Sequence, residues 1–356
     1  MRAAKTTAIN GMQRPRATKA AIVEASTPLF HHVDRPRARK PWPSRRVPRI
    51  APADPTFPEP STSAPASRAR RLEVTGGTTV HCVEWGGAPP PDGMGAAPVP
   101  FLLVHGLASN CRTWEGVAGL LAAAGHPVAT VDQRGHGRSD APAGGYDFAT
   151  LCDDLERVLD ALGYDRAVVA GQSTGGNIAV ELARRAAGRL AGVAGVDGGT
   201  LELQERWPRW EDCLGALAPP RLAGTKASDL VAMLRASHPD WADWGIEATM
   251  ANLEVLADGT VRARLGFEHH IEVLRALWEH RPSAVLGDLD VPVLLVLADS
   301  GDDWSPDKHT GAERAARLLR RGRVHWVSPG DHDVHVQHPD RVAGLFLAAV
   351  EDGFFA

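Results

Sequence analysis

Apolar and polar positions change period repeatedly along this chain. Residues 101–104 (Phe-Leu-Leu-Val), 128–131, 166–170, 193–196 and 293–297 are short apolar runs, and 324–327 follows as a further strand. Runs this short and this continuous fit strands buried on both faces. Residues 79–85 alternate instead and read as a hairpin partner near the start of the ordered chain, around Arg71. Between the strands the period becomes helical. Phe148, Leu151, Leu155, Val158, Leu159 and Leu162 recur at three- and four-residue steps, with Asp153, Asp154, Arg157 and Asp160 on the other side. The same spacing predicts helices over 114–124, 174–187, 307–321 and 339–350. Strand and helix in alternation predict a mostly parallel sheet with helices on both faces.

One interval breaks the alternation. Roughly ninety residues separate the strand at 193–196 from that at 293–297, too many for an ordinary crossover. They hold Trp207, Trp210, Trp241, Trp244 and Trp278, half of the ten tryptophans, and helix-like runs over 228–236 and 270–280. The expectation is a helical insertion. Its tryptophans either line an apolar pocket or glue the insertion to the core, and about two of the five are expected to face into such a pocket.

Charge and composition divide the chain further. Residues 1–71 carry 15 Lys and Arg against 4 Asp and Glu, leaving 24 against 39 in the rest. The folded part is therefore acidic, which disfavours nucleic acid as a partner. Residues 1–70, rich in Pro, Arg, Ala and Ser, are expected to be disordered. A dispensable extension is favoured over a tether to anionic lipid, nucleic acid or a partner. The four cysteines are scattered, which fits a reducing, cytoplasmic compartment. No apolar run reaches membrane-spanning length, and residues 1–30 lack the apolar segment of a secretory signal. With no Walker A motif, and no G-x-G-x-x-G opening a helix after a strand, no nucleotide cofactor is expected.

The chemistry concentrates at Gly171-Gln172-Ser173-Thr174-Gly175, between the strand at 166–170 and the helix from 174. A serine on a strand-to-helix turn, with glycine two residues to either side, is the nucleophile-elbow pattern. Four further segments follow the same fold in order. They are Phe101 to Asn110 containing His105-Gly106, Asp132-Gln133-Arg134-Gly135-His136-Gly137-Arg138-Ser139, Val291 to Asp303, and Val324 to Pro339. Together the five resemble the α/β-hydrolase superfamily, in its lid-bearing members, over roughly residues 72–352.

The resemblance implies a mostly parallel eight-stranded sheet with a helical lid inserted before the seventh strand. The expected divisions are a tail at 1–70, core at 71–199, lid at 200–285 and core again at 286–356. Ser173 is the implied nucleophile and His332 its base, with His335 and His338 as weaker candidates. The implied acid lies in the loop after the strand at 293–297. Counting from Pro292 favours Asp302, followed by Asp303, with Asp299 in the same loop. Asp197, after the preceding strand, is a further alternative acid whose ordinary role there is to bond loop amides. Backbone N–H groups of Leu107 and Thr174 are the implied oxyanion donors. Trp207, Trp210, Trp241 and Trp244 are the implied pocket residues of the lid. His105 and His136 are expected to brace loops, and Asp132 to pair with Arg134. The spacing of Asp299, Asp302, Asp303, His332, Asp333 and His335 matches no metal pattern, so no metal is expected. Three positions depart from the family: Asp331 stands where Gly is usual, and Gln172 and Thr174 replace the frequent His and Met.

Serine rather than aspartate at the elbow argues against dehalogenase or epoxide-hydrolase chemistry and for acyl transfer. The expected activity is cleavage of an ester, thioester, lactone or similar acyl bond of a small, partly apolar substrate through an acyl-enzyme. An acyltransferase or perhydrolase, a C–C bond hydrolase, and a non-catalytic ligand-binding protein are the alternatives.

Overall fold

Short apolar strands need cover on both faces, and the chain supplies it by alternating them with amphipathic helices. The computed structural model describes residues 67–86 and 98–355. Its elements run β1 (Ser67–Glu73), β2 (Thr79–Trp85), β3 (Phe101–Val104), α1 (Glu115–Ala123), β4 (Val128–Val131), α2 (Phe148–Leu162), β5 (Ala167–Gln172), α3 (Thr174–Arg185) and β6 (Leu190–Val196). An insertion follows: α4 (Leu203–Arg206), α5 (Trp210–Leu217), α6 (Ala227–Ser237), α7 (Asp243–Met250), β7 (Leu253–Val255), β8 (Val261–Ala263) and α8 (Phe267–Glu279). The chain closes with β9 (Val293–Ala298), α9 (Ser305–Leu318), β10 (Gly322–Val327), α10 (Val334–Gln337) and α11 (Pro339–Glu351).

Eight strands form one sheet in the order β1-β2-β4-β3-β5-β6-β9-β10. The β1–β2 and β2–β4 pairs are antiparallel and all others parallel. Side chains alternate between two cores. Phe101, Leu103, Val168 and Ala170 face α1 and α11, while Leu102, Val104 and Val169 face α2 and α3. Every residue of β3, β4, β5, β6 and β9 is buried. Helix α2 matches its predicted span: Asp147 accepts from Thr150 N at 3.0 Å, and Gly163 ends the helix in the left-handed conformation. No helix among the described residues is long and apolar enough to cross a membrane. All four cysteines are buried free thiols, and burial pushes Cys82 up to about 12 and Cys213 up to about 11.

Three expectations change. The tail assigned to 1–70 lies outside the described residues except for 67–70, which belong to β1 because they pair with 82–85 of β2. The insertion carries a small antiparallel hairpin, β7–β8, as well as helices. Asp132 and Arg134 do not pair. Arg134 clamps Asp154 of α2 with two bonds of 2.6 Å, whereas Asp132 accepts from His81, Cys111 N and Arg138 N. Both residues lie in the turn after β4, where Asp132 is taken up by His81 and two backbone amides and Arg134 by the carboxylate of α2. His81, Cys111 and Asp132 lie close together, but the Asp132 oxygens are already occupied by these bonds.

Candidate active site

Ser173 sits between β5 and α3 at φ 53°, ψ −120°, a conformation that L residues seldom adopt. Its neighbours make the turn possible by lacking side chains. A Cβ on Gly171 would overlap the backbone of Gly175, and one on Gly175 would lie 2.5 Å from Val104 O and 2.6 Å from His105 O. The turn is anchored to β6 by Ser173 N donating to Val196 O at 3.0 Å. Ser173, Thr174, Leu107 and His332 line one cavity of about 200 Å³.

His332 lies in the loop between β10 and α10. Its Nδ1 is 2.6 Å from Oδ2 of Asp197, directly after β6. Asp197 is 2% exposed, its Oδ1 accepts from Ala298 N at 3.0 Å, and Lys308 Nζ approaches Oδ2 at 2.7 Å. Burial by itself pushes the His332 ring down. The hydrogen bond and charge of Asp197, with the charge of Asp333, outweigh it and hold the ring above its ordinary value. Burial raises the Asp333 carboxyl, which lines the same cavity.

The carboxylate bonded to His332 is therefore Asp197, in place of the expected Asp302. Asp302 accepts from Trp304 N at 2.9 Å and Ser305 N at 3.0 Å, at the start of α9. Asp299 accepts from Gly301 N and from the Ser305 hydroxyl. The carbonyl of Asp303 accepts from Arg206. A helix start so placed uses carboxylates as caps. The signal for Asp197 was Asp197-Gly198-Gly199 at a strand end: a Cβ on Gly198 would overlap the backbone of Ser173, so β6 approaches the elbow closely.

His105 and His136 brace loops as expected. His105 Nε2 accepts from Gln133 N at 3.0 Å, and His136 Nε2 accepts from Ala108 N at 3.3 Å. Burial pushes His136 down to about 3. His335 is fully buried against Trp114, with no hydrogen-bond partner on either ring nitrogen, and His338 makes no capping bond. Gln172 donates to the His332 carbonyl at 3.2 Å, tying the elbow to the histidine loop.

The four tryptophans assigned to the pocket do not line it. Trp207 packs on Trp304 and Trp210 on Trp278, whose Nε1 donates to Trp207 O. Trp241 is buried with Leu234, Ile246 and Val336, and Trp244 packs against that group. These four indoles serve as glue, and much of the cavity wall is leucine (Leu203, Leu217, Leu230, Leu234, Leu274 and Leu277), with Trp304, Asp302 and Lys308 also on it. Sequence reasoning also missed a contact between the insertion and the histidine loop. Asp331 Oδ2 receives His238 Nδ1 at 2.9 Å and Trp241 Nε1 at 3.1 Å.

A mostly parallel sheet, a strained serine after its fifth strand and a histidine–carboxylate pair lining the same cavity are the features of the α/β-hydrolase class. The sequence profile of the alpha/beta hydrolase fold matches residues 99–339, and the chain belongs to that family. It is 35% identical over 298 residues to a non-heme chloroperoxidase of Streptomyces lividans, covering 79% of this chain and 99% of the relative. Among solved structures it is similar to E-2-(acetamidomethylene)succinate hydrolase (TM-score 0.61, 22% identity, 80% of this chain and 98% of that one). It is likewise similar to a thioesterase domain from the curacin biosynthetic pathway (TM-score 0.63, 21% identity, 79% and 99%). At these identities the structural likenesses speak to the fold alone.

Proposed function

We propose that the chain is a serine hydrolase that cleaves an ester or related acyl bond of a small, mainly apolar substrate. One observation carries the reading: Ser173, held at positive φ, shares a leucine-walled cavity with His332, whose far ring nitrogen is bonded to buried Asp197. His332 Nε2 takes the Ser173 proton as Oγ attacks the substrate carbonyl. The ring, protonated on both nitrogens, is stabilised by Asp197. The oxyanion of the tetrahedral intermediate is held by the N–H groups of Leu107 and Thr174, each worth ~2.7–4 kcal/mol of barrier. His332 then gives its proton to the leaving group and takes one from the water that releases the acid.

The kinship with the chloroperoxidase favours a second acceptor on the same acyl-enzyme. Hydrogen peroxide in place of water would release a peroxy acid, which oxidises halide. Fluorophosphonate labelling tests the common step. A mapped adduct on Ser173, absent from Ser173→Ala and strongly reduced in His332→Ala, is expected. An unlabelled, folded wild type would sink the hydrolase reading in favour of a ligand-binding protein. Ester hydrolysis compared with peroxide-dependent bromide oxidation then separates the acceptors.

A further inference from the structure

Lys308 stands where ordinary helix chemistry disfavours it. It lies in the first turns of α9, where the backbone dipole is positive, and it is only 8% exposed. Its Nζ meets Asp197 Oδ2 at 2.7 Å and donates to Ala298 O at 3.1 Å. The same Oδ2 bonds His332 Nδ1 at 2.6 Å. Two cationic donors thus share one carboxylate oxygen, which places Lys308 Nζ within about 5 Å of the ring. Stability gives no sufficient reason for this arrangement, because buried ion pairs are commonly replaced by apolar residues at no cost. A local rule broken at a buried position beside a reactive constellation points to function.

We infer that Lys308 is a positioning residue for the proposed triad: it fixes Asp197 through the same oxygen that bonds His332 and opposes the positive charge that the ring takes up during turnover. The inference rests on the Ser173–His332–Asp197 reading. Two consequences follow from the geometry. The carboxylate is tethered at three points, Ala298 N, His332 Nδ1 and Lys308 Nζ, so it cannot swing away from the ring. The ring also remains a free base to lower pH than the carboxylate alone would allow. The other groups facing this centre do not cancel the effect. Asp333 beside the ring favours its protonation, His335 on α10 is held neutral by burial, and Asp331 with His238 forms its own pair at the insertion. Asp302 engages the amides at the start of α9.

The test is the pH profile of kcat/KM. Lys308→Met is expected to move the acid limb up by about one pH unit, whereas Lys308→Arg leaves it near that of wild type. A role confined to packing would lower the rate or the melting temperature and leave the limb in place. A folded Lys308→Met enzyme whose limb coincides with wild type would overturn the inference. Should Lys308→Met not fold, Asp197→Asn and the double variant Asp197→Asn/Lys308→Met, which has no charge at either position, are compared by histidine NMR titration. His332 is expected to titrate about one unit higher in the double variant, and equal values would refute the role. The titration needs no turnover. An unlabelled Ser173 therefore counts against the hydrolase reading alone, and an unmoved titration against Lys308 alone.

Discussion

Asp331 holds the His238 ring of the insertion at 2.9 Å while its own backbone is adjacent to His332. The residue that departs from the family's usual glycine is thus the one that fastens the insertion to the histidine loop. Trp241 adds a second bond to the same oxygen, stacking on His238 with centroids 4.0 Å apart. Asp331→Gly is expected to loosen this contact, raising KM several-fold while labelling of Ser173 persists. Steady-state kinetics on a short and a long acyl ester would check it. The bond to His238 holds the Asp331 carboxyl below its ordinary value. Its contribution is therefore present above the unfolded-state value and lost as pH falls through the folded one.

The choice of acid is directly testable. Asp197→Asn is expected to lower kcat by roughly 10⁴-fold, since the amide fixes the wrong tautomer of the ring. Asp302→Asn is expected to retain most activity, because asparagine caps a helix about as well as aspartate. If Asp302→Asn proves the more damaging of the two, the assignment of the acid fails.

Arg134 and Asp154 form a buried bidentate pair, 4% and 5% exposed. Asp154→Ala leaves the guanidinium buried and unpaired, and is expected to cost ~3–5 kcal/mol. Urea denaturation would measure it, with no change in labelling at temperatures where the variant is folded.

Acid sensitivity should come from neutral buried histidines. Burial pushes His335 and His136 down to about 3. A base with a depressed folded value binds protons better when unfolded. Stability is therefore full above the ordinary histidine range and falls as pH drops below it, until the folded value is passed. The loss is of order 2–3 kcal/mol for each ring by about pH 4. His335→Leu also removes two unpartnered buried nitrogens. It is expected to flatten the acid side of the stability curve and to be neutral or stabilising at pH 7.

The leucine wall sets the expected substrate size. Leu277→Ala is expected to cost ~2–5 kcal/mol of stability and to shift preference toward longer acyl chains. The gain per added methylene would be up to the ~1–3 kcal/mol that such groups are worth in an apolar pocket. An ester series read as kcat/KM would show it.

What the sequence made legible was local. The elbow could be read because its glycine–serine–glycine pattern lies within five residues, although the backbone of Val104 and His105 is what demands Gly175, and α2 because its cap, spacing and terminal glycine all lie on one segment. His332 followed from its place between the last strand and the last helix. The identity of its carboxylate partner did not, because Asp197 and the Asp299–Asp303 loop compete across a gap of a hundred residues that only packing resolves. The tryptophans misled for a related reason. An indole is equally suited to a pocket wall and to a seam, and the difference lies in which neighbour covers it. Arg134 pairs with Asp154 of α2 rather than with its neighbour two residues back, a choice that the packing of α2 beside the turn imposes and composition does not show.

Strands β5 and β6 are immediate neighbours in the sheet, and on the proposed assignment they carry the nucleophile and the acid respectively. Two of the three reacting groups are then encoded within twenty-five residues of one another. On that assignment the loop between β9 and α9 supplies no catalytic acid, and its Asp302 bonds the amides at the start of α9. For protein engineering, recognition could be altered at Asp302 and Trp304, which line the cavity, while the nucleophile and the proposed acid stay at the ends of β5 and β6.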